Sequence, residues 1–312
     1  MEQPLIITAC TNRKSAALEE RLQASDLPLG SLKEVAGIWN ARVKQHHFRL
    51  PASELYVGRG AAEAKKATEF CDGQQWFISA GLGLISAMEE VAAYDLTVAG
   101  TGPNCLASKI RTPVFRSKDW WSAVSRKRRP ARKLSRLIEA NPKSLIILGL
   151  PSSYLAMVSD DLEELSSAGR GRLRVIGPPE AKVPAALHPY WMPYDERLDG
   201  PRSSYRGTRS DFPQRATRHF LEEIWARSKS AGPESHANSV VKLLADLPYP
   251  TIPKRQQLDD SELLVVIKKL WGRAEGQSSR MLRILRDEEL IACEQGRFKV
   301  LFYRAKKQLG II

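Results

Sequence analysis

A short polar loop and a distant carboxylate are the groups in this chain best placed to do chemistry. The stretch Thr8-Ala9-Cys10-Thr11-Asn12-Arg13-Lys14 offers hydroxyl, thiol, amide, guanidinium and ammonium groups close together. Asn12 both donates and accepts, so it suits the edge of a polar ring. Asp95, directly after Tyr94, adds a carboxylate within AAYDLTVAGTGPN. An ionised carboxylate near cations can stabilise developing positive charge or orient a water. A lone Asp in such a turn-rich stretch is also a common cap or turn residue. Asp195 is the reserve carboxylate. Tyr56 and Arg59 stand near a helix N-terminus, where backbone N–H groups favour an anion. The four cysteines, Cys10, Cys71, Cys105 and Cys293, are scattered with no CxxC spacing. That pattern argues against a zinc site or a disulfide framework and fits a reducing cytoplasm. Neither a metal nor a cofactor is expected.

These groups need a scaffold. Leu5, Ile6 and Ile7 form an apolar run suited to a strand buried on both faces of a parallel sheet. Three later segments repeat the pattern of apolar strand and small or polar loop: WFISAGLGLI, SLIILGLPSSY and RLRVIGPPE. With helical stretches between them, they predict a three-layer α/β domain with a mainly parallel four-stranded sheet. Ligands in such sheets bind beyond the carboxyl ends of the strands. If the first two strands are neighbours, the loop from Thr8 to Lys14 and Asp95 open at one edge. The two glycines of SAGLGLI let backbone approach a ligand or a neighbouring element closely.

The domain spans residues 1–228. Residues 229–255, with SKSAGPES, a short helix around Val240 to Leu244 and then LPYPTIP, read as a linker. Residues 256–312 carry two amphipathic helices, then a turn at Gln295-Gly296 and a basic strand. That order predicts a winged helix-turn-helix with Arg280 at the start of its recognition helix. The same segment reads equally well as a helical cap on the main domain.

A formal net charge of +13 and a pI near 9.7 favour a polyanionic partner, with nucleic acid first. The cations concentrate between Lys109 and Arg136, including Arg126, Lys127, Arg128 and Arg129, with Phe115, Trp120 and Trp121 interleaved. Lys and Arg neutralise phosphates, and aromatic rings can stack on bases or pack in a core. A second group lies in the long loop after the fourth strand: Arg202, Tyr205, Arg206, Arg209 and Arg215. The expected partner is double-stranded DNA. No apolar run reaches membrane-spanning length, so neither a membrane partner nor a membrane location is expected.

The series TACTNRK, ELYVGR, ISAGLGLI and AYDLTV resembles the peroxide-stress YaaA-like family over roughly the first hundred residues. That family has a strand ending in S-C-x-x-x-K, then L-Y-x-G, L-S-A-x-x-G-L-L and P-Y-D. Here Ala9 replaces the usual Ser and Ala93 the Pro before Tyr94-Asp95. The α/β plan also resembles the uracil-DNA glycosylase superfamily, with His188-Pro189 similar to its late His-Pro motif, although the early G-x-D-P-Y motif is absent. These resemblances imply an N-glycosylase that flips and excises a modified base, as antiphage glycosylases do with modified phage cytosines. Asp95 would then stabilise the sugar cation, with Asp195 in reserve, and Asn12 would read the flipped base. Thr8, Cys10, Lys14, Tyr56, Arg59, Ser79, Gly81, Tyr94 and His188 would line the pocket or hold the flanking phosphate. Two other classes stay open: a non-catalytic DNA-binding stress protein, and an enzyme of deazaguanine or nucleotide metabolism.

Overall fold

The computed structural model describes residues 2–311 except 101, 127–132 and 252, and leaves out the side chain of Arg126. The chain divides into two compact units, Met1–Pro250 and Thr251–Ile312.

The first unit is built on β1 (Leu5–Ala9), whose residues are all buried. After it come α1 (Leu32–Gln45) and α2 (Arg59–Phe70), then β2 (Gln74–Ser79) and β3 (Gly83–Ser86). Next are α3 (Ser117–Arg126), β4 (Ile146–Gly149), α4 (Ser152–Met157) and β5 (Leu173–Ile176). Two further helices close the unit: α5 (Phe212–His219), extended by a wider turn over Phe220–Ile224, and α6 (Pro233–Ala245).

The five strands lie in the order β3-β2-β1-β4-β5. All neighbours are parallel except β2 and β3. The expected mainly parallel sheet is present, with one strand more than the four anticipated. SAGLGLI is not one strand and a loop but a tight hairpin, because Gly83 takes a φ of 76° that reverses the chain. Side chains of β1 alternate between two cores. Leu5, Ile7 and Ala9 pack with Trp121 of α3 and Leu155 of α4. Ile6 packs on the other face with Ala67 of α2 and Ala216 and Phe220 of α5.

Two expectations change, and core packing, favoured for at least one of Trp120 and Trp121, holds for both. The short helix expected within 229–255 is longer, α6, and it is not linker: Val240 and Leu244 are buried in the core of the first unit. Tyr94-Asp95 is a short strand paired in parallel with Leu22–Gln23 rather than a turn, since Tyr94 is wholly buried. Trp120 and Trp121 are both core residues, donating to Ala80 O at 2.7 Å and Asp161 Oδ2 at 3.2 Å. The densest part of the basic stretch, Lys127, Arg128 and Arg129, lies outside the described residues.

The second unit has α7 (Asp260–Lys269), α8 (Ser278–Arg283, continuing as a wider helix over Ile284–Glu288) and α9 (Gln295–Gln308). The expected basic strand of a wing is therefore a helix. Phe298, Leu301 and Ala305 recur at helical spacing and are buried together, and Glu294 caps the start by accepting from Arg297 N. Among the described residues, no helix is long and apolar enough to cross a membrane.

Candidate active site

The carboxyl end of β1 is held from both sides. Cys10 N donates to Ile78 O of β2 at 3.0 Å, which carries the ladder one residue past the strand. Val57 N donates to Arg13 O at 3.1 Å, and Thr11 Oγ1 donates to Val57 O at 3.0 Å. The loop from Cys10 to Lys14 is thereby fastened to the stretch that carries Tyr56.

Behind the loop lies a buried polar cluster. Ser79, at the end of β2, shares a 2.6 Å hydrogen bond with the Tyr94 hydroxyl and accepts from Leu82 N at 3.0 Å. Tyr56 donates towards Ser79 Oγ at 3.2 Å and Tyr94 OH at 3.4 Å. Cys10 Sγ sits 3.4 Å from Tyr94 OH and 3.3 Å from Tyr154 OH. Tyr154 arrives on α4, directly after β4, so the cluster spans the place where strand order reverses around β1. Such switch points are where open α/β sheets bind ligands. Burial, and then the neighbouring thiol, raise Tyr94 and Tyr154 well above the usual phenol range. Both remain neutral donors. Gly81 is required here because a Cβ would come within 2.6 Å of the Tyr94 ring.

Lys14 and Asp95 stand at the front. The Lys14 amine lies 4.6 Å from the Tyr94 ring centre and 5.8 Å from that of Tyr56. It donates to Thr11 O at 3.2 Å and is 3.9 Å from Asp95 Oδ1. Asp95 Oδ2 accepts from Arg21 Nη1 at 3.4 Å and Gln23 Nε2 at 3.3 Å. Arg21 is fixed in turn by Ala16 O and Lys14 O. Burial lowers the Lys14 pKa, partly opposed by Cys10 and Asp95. The Asp95 side chain is 19% exposed and that of Lys14 only 2%, so the carboxylate faces outward and the amine sits behind it.

The expected residues separate cleanly. Cys10, Lys14, Tyr56, Ser79, Gly81, Tyr94 and Asp95 come together. Thr8 is buried with its hydroxyl unpartnered, on the Ile6 face of the sheet. Asn12 is exposed on the loop and, among the described residues, makes no side-chain hydrogen bond. Arg59 reaches the rim, bonding Arg206 O and lying 3.5 Å from Asp211. His188 bonds Val183 O at 2.9 Å, just ahead of the 3₁₀ segment Ala185–Tyr190 that carries it. Asp195 caps the next such segment and pairs with Arg197 at 2.7 Å, a local structural role that leaves it a poor reserve catalyst. Arg215 is buried and ion-paired to Asp199 and Asp211, which removes it from any phosphate. Tyr205 donates to Glu222 at 2.6 Å, whereas Arg206 and Arg209 point to solvent. Arg202 is exposed and donates to Asp246 O at 3.1 Å, and Arg280 pairs with Glu275 at 2.6 Å.

Sequence reasoning missed Arg21, Gln23 and Tyr154. Tyr154 follows the strand in SLIILGLPSSY, so the strand-end rule applied to Thr8–Lys14 would have found it. Arg21 and Gln23 have no local signal, being placed only by pairing with Tyr94-Asp95. Among the described residues, no three His, Cys, Asp or Glu side chains converge as a metal site. No family model, curated protein or solved structure matches the chain.

Proposed function

We propose that this protein is a DNA-acting N-glycosylase that flips out and excises a modified base, leaving an abasic site. The observation that carries the reading is Asp95: a part-exposed carboxylate at the carboxyl edge of a parallel sheet, beside a lysine and an arginine. As the base leaves, positive charge grows at C1′ of the sugar, and a fixed anion there lowers the barrier or orients the attacking water. Asn12, exposed on the adjoining loop, is available to the edge of a flipped base. The backbone grip comes from the neighbouring rim. The loop from Cys10 to Lys14 is bonded to Val57, Gly58 lies against the Arg13 side chain, and Arg59 bonds the backbone of Arg206. Arg13, Arg59, Arg206 and Arg209 thus run along one exposed border, suited to phosphates on either side of an extruded nucleotide.

The C-terminal unit adds a second DNA contact through α8, whose Arg283 is exposed and, among the described residues, makes no ion pair. Modified cytosines of phage DNA are the proposed targets, and defence in the cytoplasm is the proposed setting. The test is abasic-site formation on duplexes carrying modified or ordinary cytosine, under single-turnover conditions. Asp95→Asn should keep DNA binding and lose excision. Full excision by Asp95→Asn would remove the carboxylate from the mechanism. Binding without excision on every duplex would favour a purely DNA-binding protein.

A further inference from the structure

Lys14 is an unusual residue to find behind a carboxylate. An ammonium carries three N–H donors, yet among the described residues the Lys14 amine has one hydrogen-bond acceptor, Thr11 O at 3.2 Å. Its other neighbours include two aromatic faces, the Cys10 thiol, Arg21 and Asp95 Oδ1, the last at 3.9 Å and too far for a hydrogen bond. Nor does Asp95 depend on it, because Arg21 and Gln23 already hold the other carboxylate oxygen. A cation with its side chain 2% exposed and its donors mostly unmet is costly, so this setting makes the amine easier to deprotonate than an exposed lysine, against the pull of Asp95 and the two rings. Burial lowers the Lys14 pKa in the same sense. A neutral lysine amine is a nucleophile towards carbonyl carbon.

We infer that Lys14 is a catalytic nucleophile that captures the C1′ aldehyde of an abasic sugar and cleaves the strand by β-elimination. The inference rests on the N-glycosylase reading, which supplies the abasic sugar at this site. The abasic hemiacetal opens to an aldehyde. The nitrogen lone pair of Lys14 then attacks C1′ to form a carbinolamine, which takes a proton from water and loses its hydroxyl as water to give a protonated imine. Asp95 Oδ1, the oxygen not held by Arg21 and Gln23, takes a proton from C2′. The released electron pair forms the C2′=C3′ double bond, and the C3′–O bond breaks, with the phosphate leaving on the downstream strand. Hydrolysis of the imine restores the amine and frees the unsaturated aldehyde. No oxidant or reductant enters.

The same geometry orders the two activities. The outward carboxylate meets the sugar first, and the amine behind it acts once base loss has opened the ring. Borohydride reduces an imine to a stable amine, so it converts the intermediate into a covalent protein–DNA adduct. The test uses the full chain with borohydride on a duplex whose abasic site was made beforehand, which bypasses excision. The wild-type protein should trap, and mass mapping of the adduct peptide should place it on Lys14. Lys14→Arg keeps a cation over the tyrosines but cannot form the imine, so its trapping should fall to the no-protein background while DNA binding persists. An adduct mapped to another amine, or undiminished trapping by Lys14→Arg, overturns the inference, and mapping the wild-type adduct decides the matter even if the variant folds poorly. Base excision without trapping overturns the inference and leaves the glycosylase reading standing. Trapping on Lys14 without excision of any base supports the nucleophile and counts against the glycosylase reading.

Discussion

Two carboxylate–cation clusters in the first unit use the same residue types for opposite ends. In one, the Arg215 guanidinium, with its side chain 1% exposed, meets Asp211 at 2.6 Å and Asp199 at 2.7 Å. Its remaining reach is taken by Tyr205 O at 2.5 Å and Thr208 O at 2.8 Å. Burial pushes Asp211 up, but Arg215 and Thr208 outweigh it and hold the carboxyl below its usual range. In the other cluster, Asp95 meets Arg21 at 3.4 Å and Lys14 at 3.9 Å, and the amine has donors to spare. Residue type does not tell a brace from a site; completeness of hydrogen bonding does. Arg215 has every partner it needs, whereas the Lys14–Asp95 pair is loose enough to admit a third party.

The comparison is broken most directly by stability. Arg215→Ala leaves the buried Asp211 without its main partner, and loss of one member of a buried pair costs about 3–5 kcal/mol. Asp95→Asn removes a loose, part-exposed pair, worth less than about 1 kcal/mol. Urea unfolding of both variants checks this, and equal losses would erase the distinction.

A smaller effect comes from His219, whose ring lies 4.9 Å from that of Tyr205 beside the Arg215 brace. Burial lowers its pKa to about 4, with Glu222 opposing, and Tyr194 OH pairs with Nδ1 at 2.8 Å. The unfolded chain binds this proton below about pH 6.5 and the folded chain only near pH 4. Stability is therefore full above that window and falls as pH drops through it, by roughly 3 kcal/mol. The difference between wild type and His219→Gln in unfolding from pH 7 to pH 4 isolates this share. No difference would mean that His219 protonates equally in both states.

The smallest effect sharpens the rim. If Arg206 and Arg209 each meet one phosphate, replacing both by Ala should flatten the slope of log K against log salt by about 2. The internally paired Arg215 makes no such contact. A slope unchanged in the double variant would mean that this border does not touch the backbone.

Much of the sheet was legible because the runs at Leu5–Ile7 and in SLIILGL are too apolar for anything but buried strands. The strand-end rule then located Cys10, Lys14 and Ser79, whereas Asp95 arrives on a short strand of its own. The rule could not say which loop residues turn inward. Lys14 does so through the bridge to Tyr56, whereas Asn12, two positions earlier, faces solvent. The wing was misread because Gln295-Gly296 has turn chemistry, although Phe298, Leu301 and Ala305 carried the competing helical period. Arg215 misled for a simpler reason: charge in a loop says nothing of the acids that the fold folds back upon it.

The central position of β1 sets a clock on the assembly of the site. Although β1 leaves the ribosome first, its Cys10 meets Tyr154 only after β4 and α4 have followed. At synthesis rates of about 5–20 residues per second, that interval is on the order of ten seconds. A chain cut short before Tyr154 by aborted translation or proteolysis has Lys14 and Asp95 but not the finished sheet edge that positions them. Such fragments would thereby lack the assembled cluster, with the strand order itself serving as the safety catch.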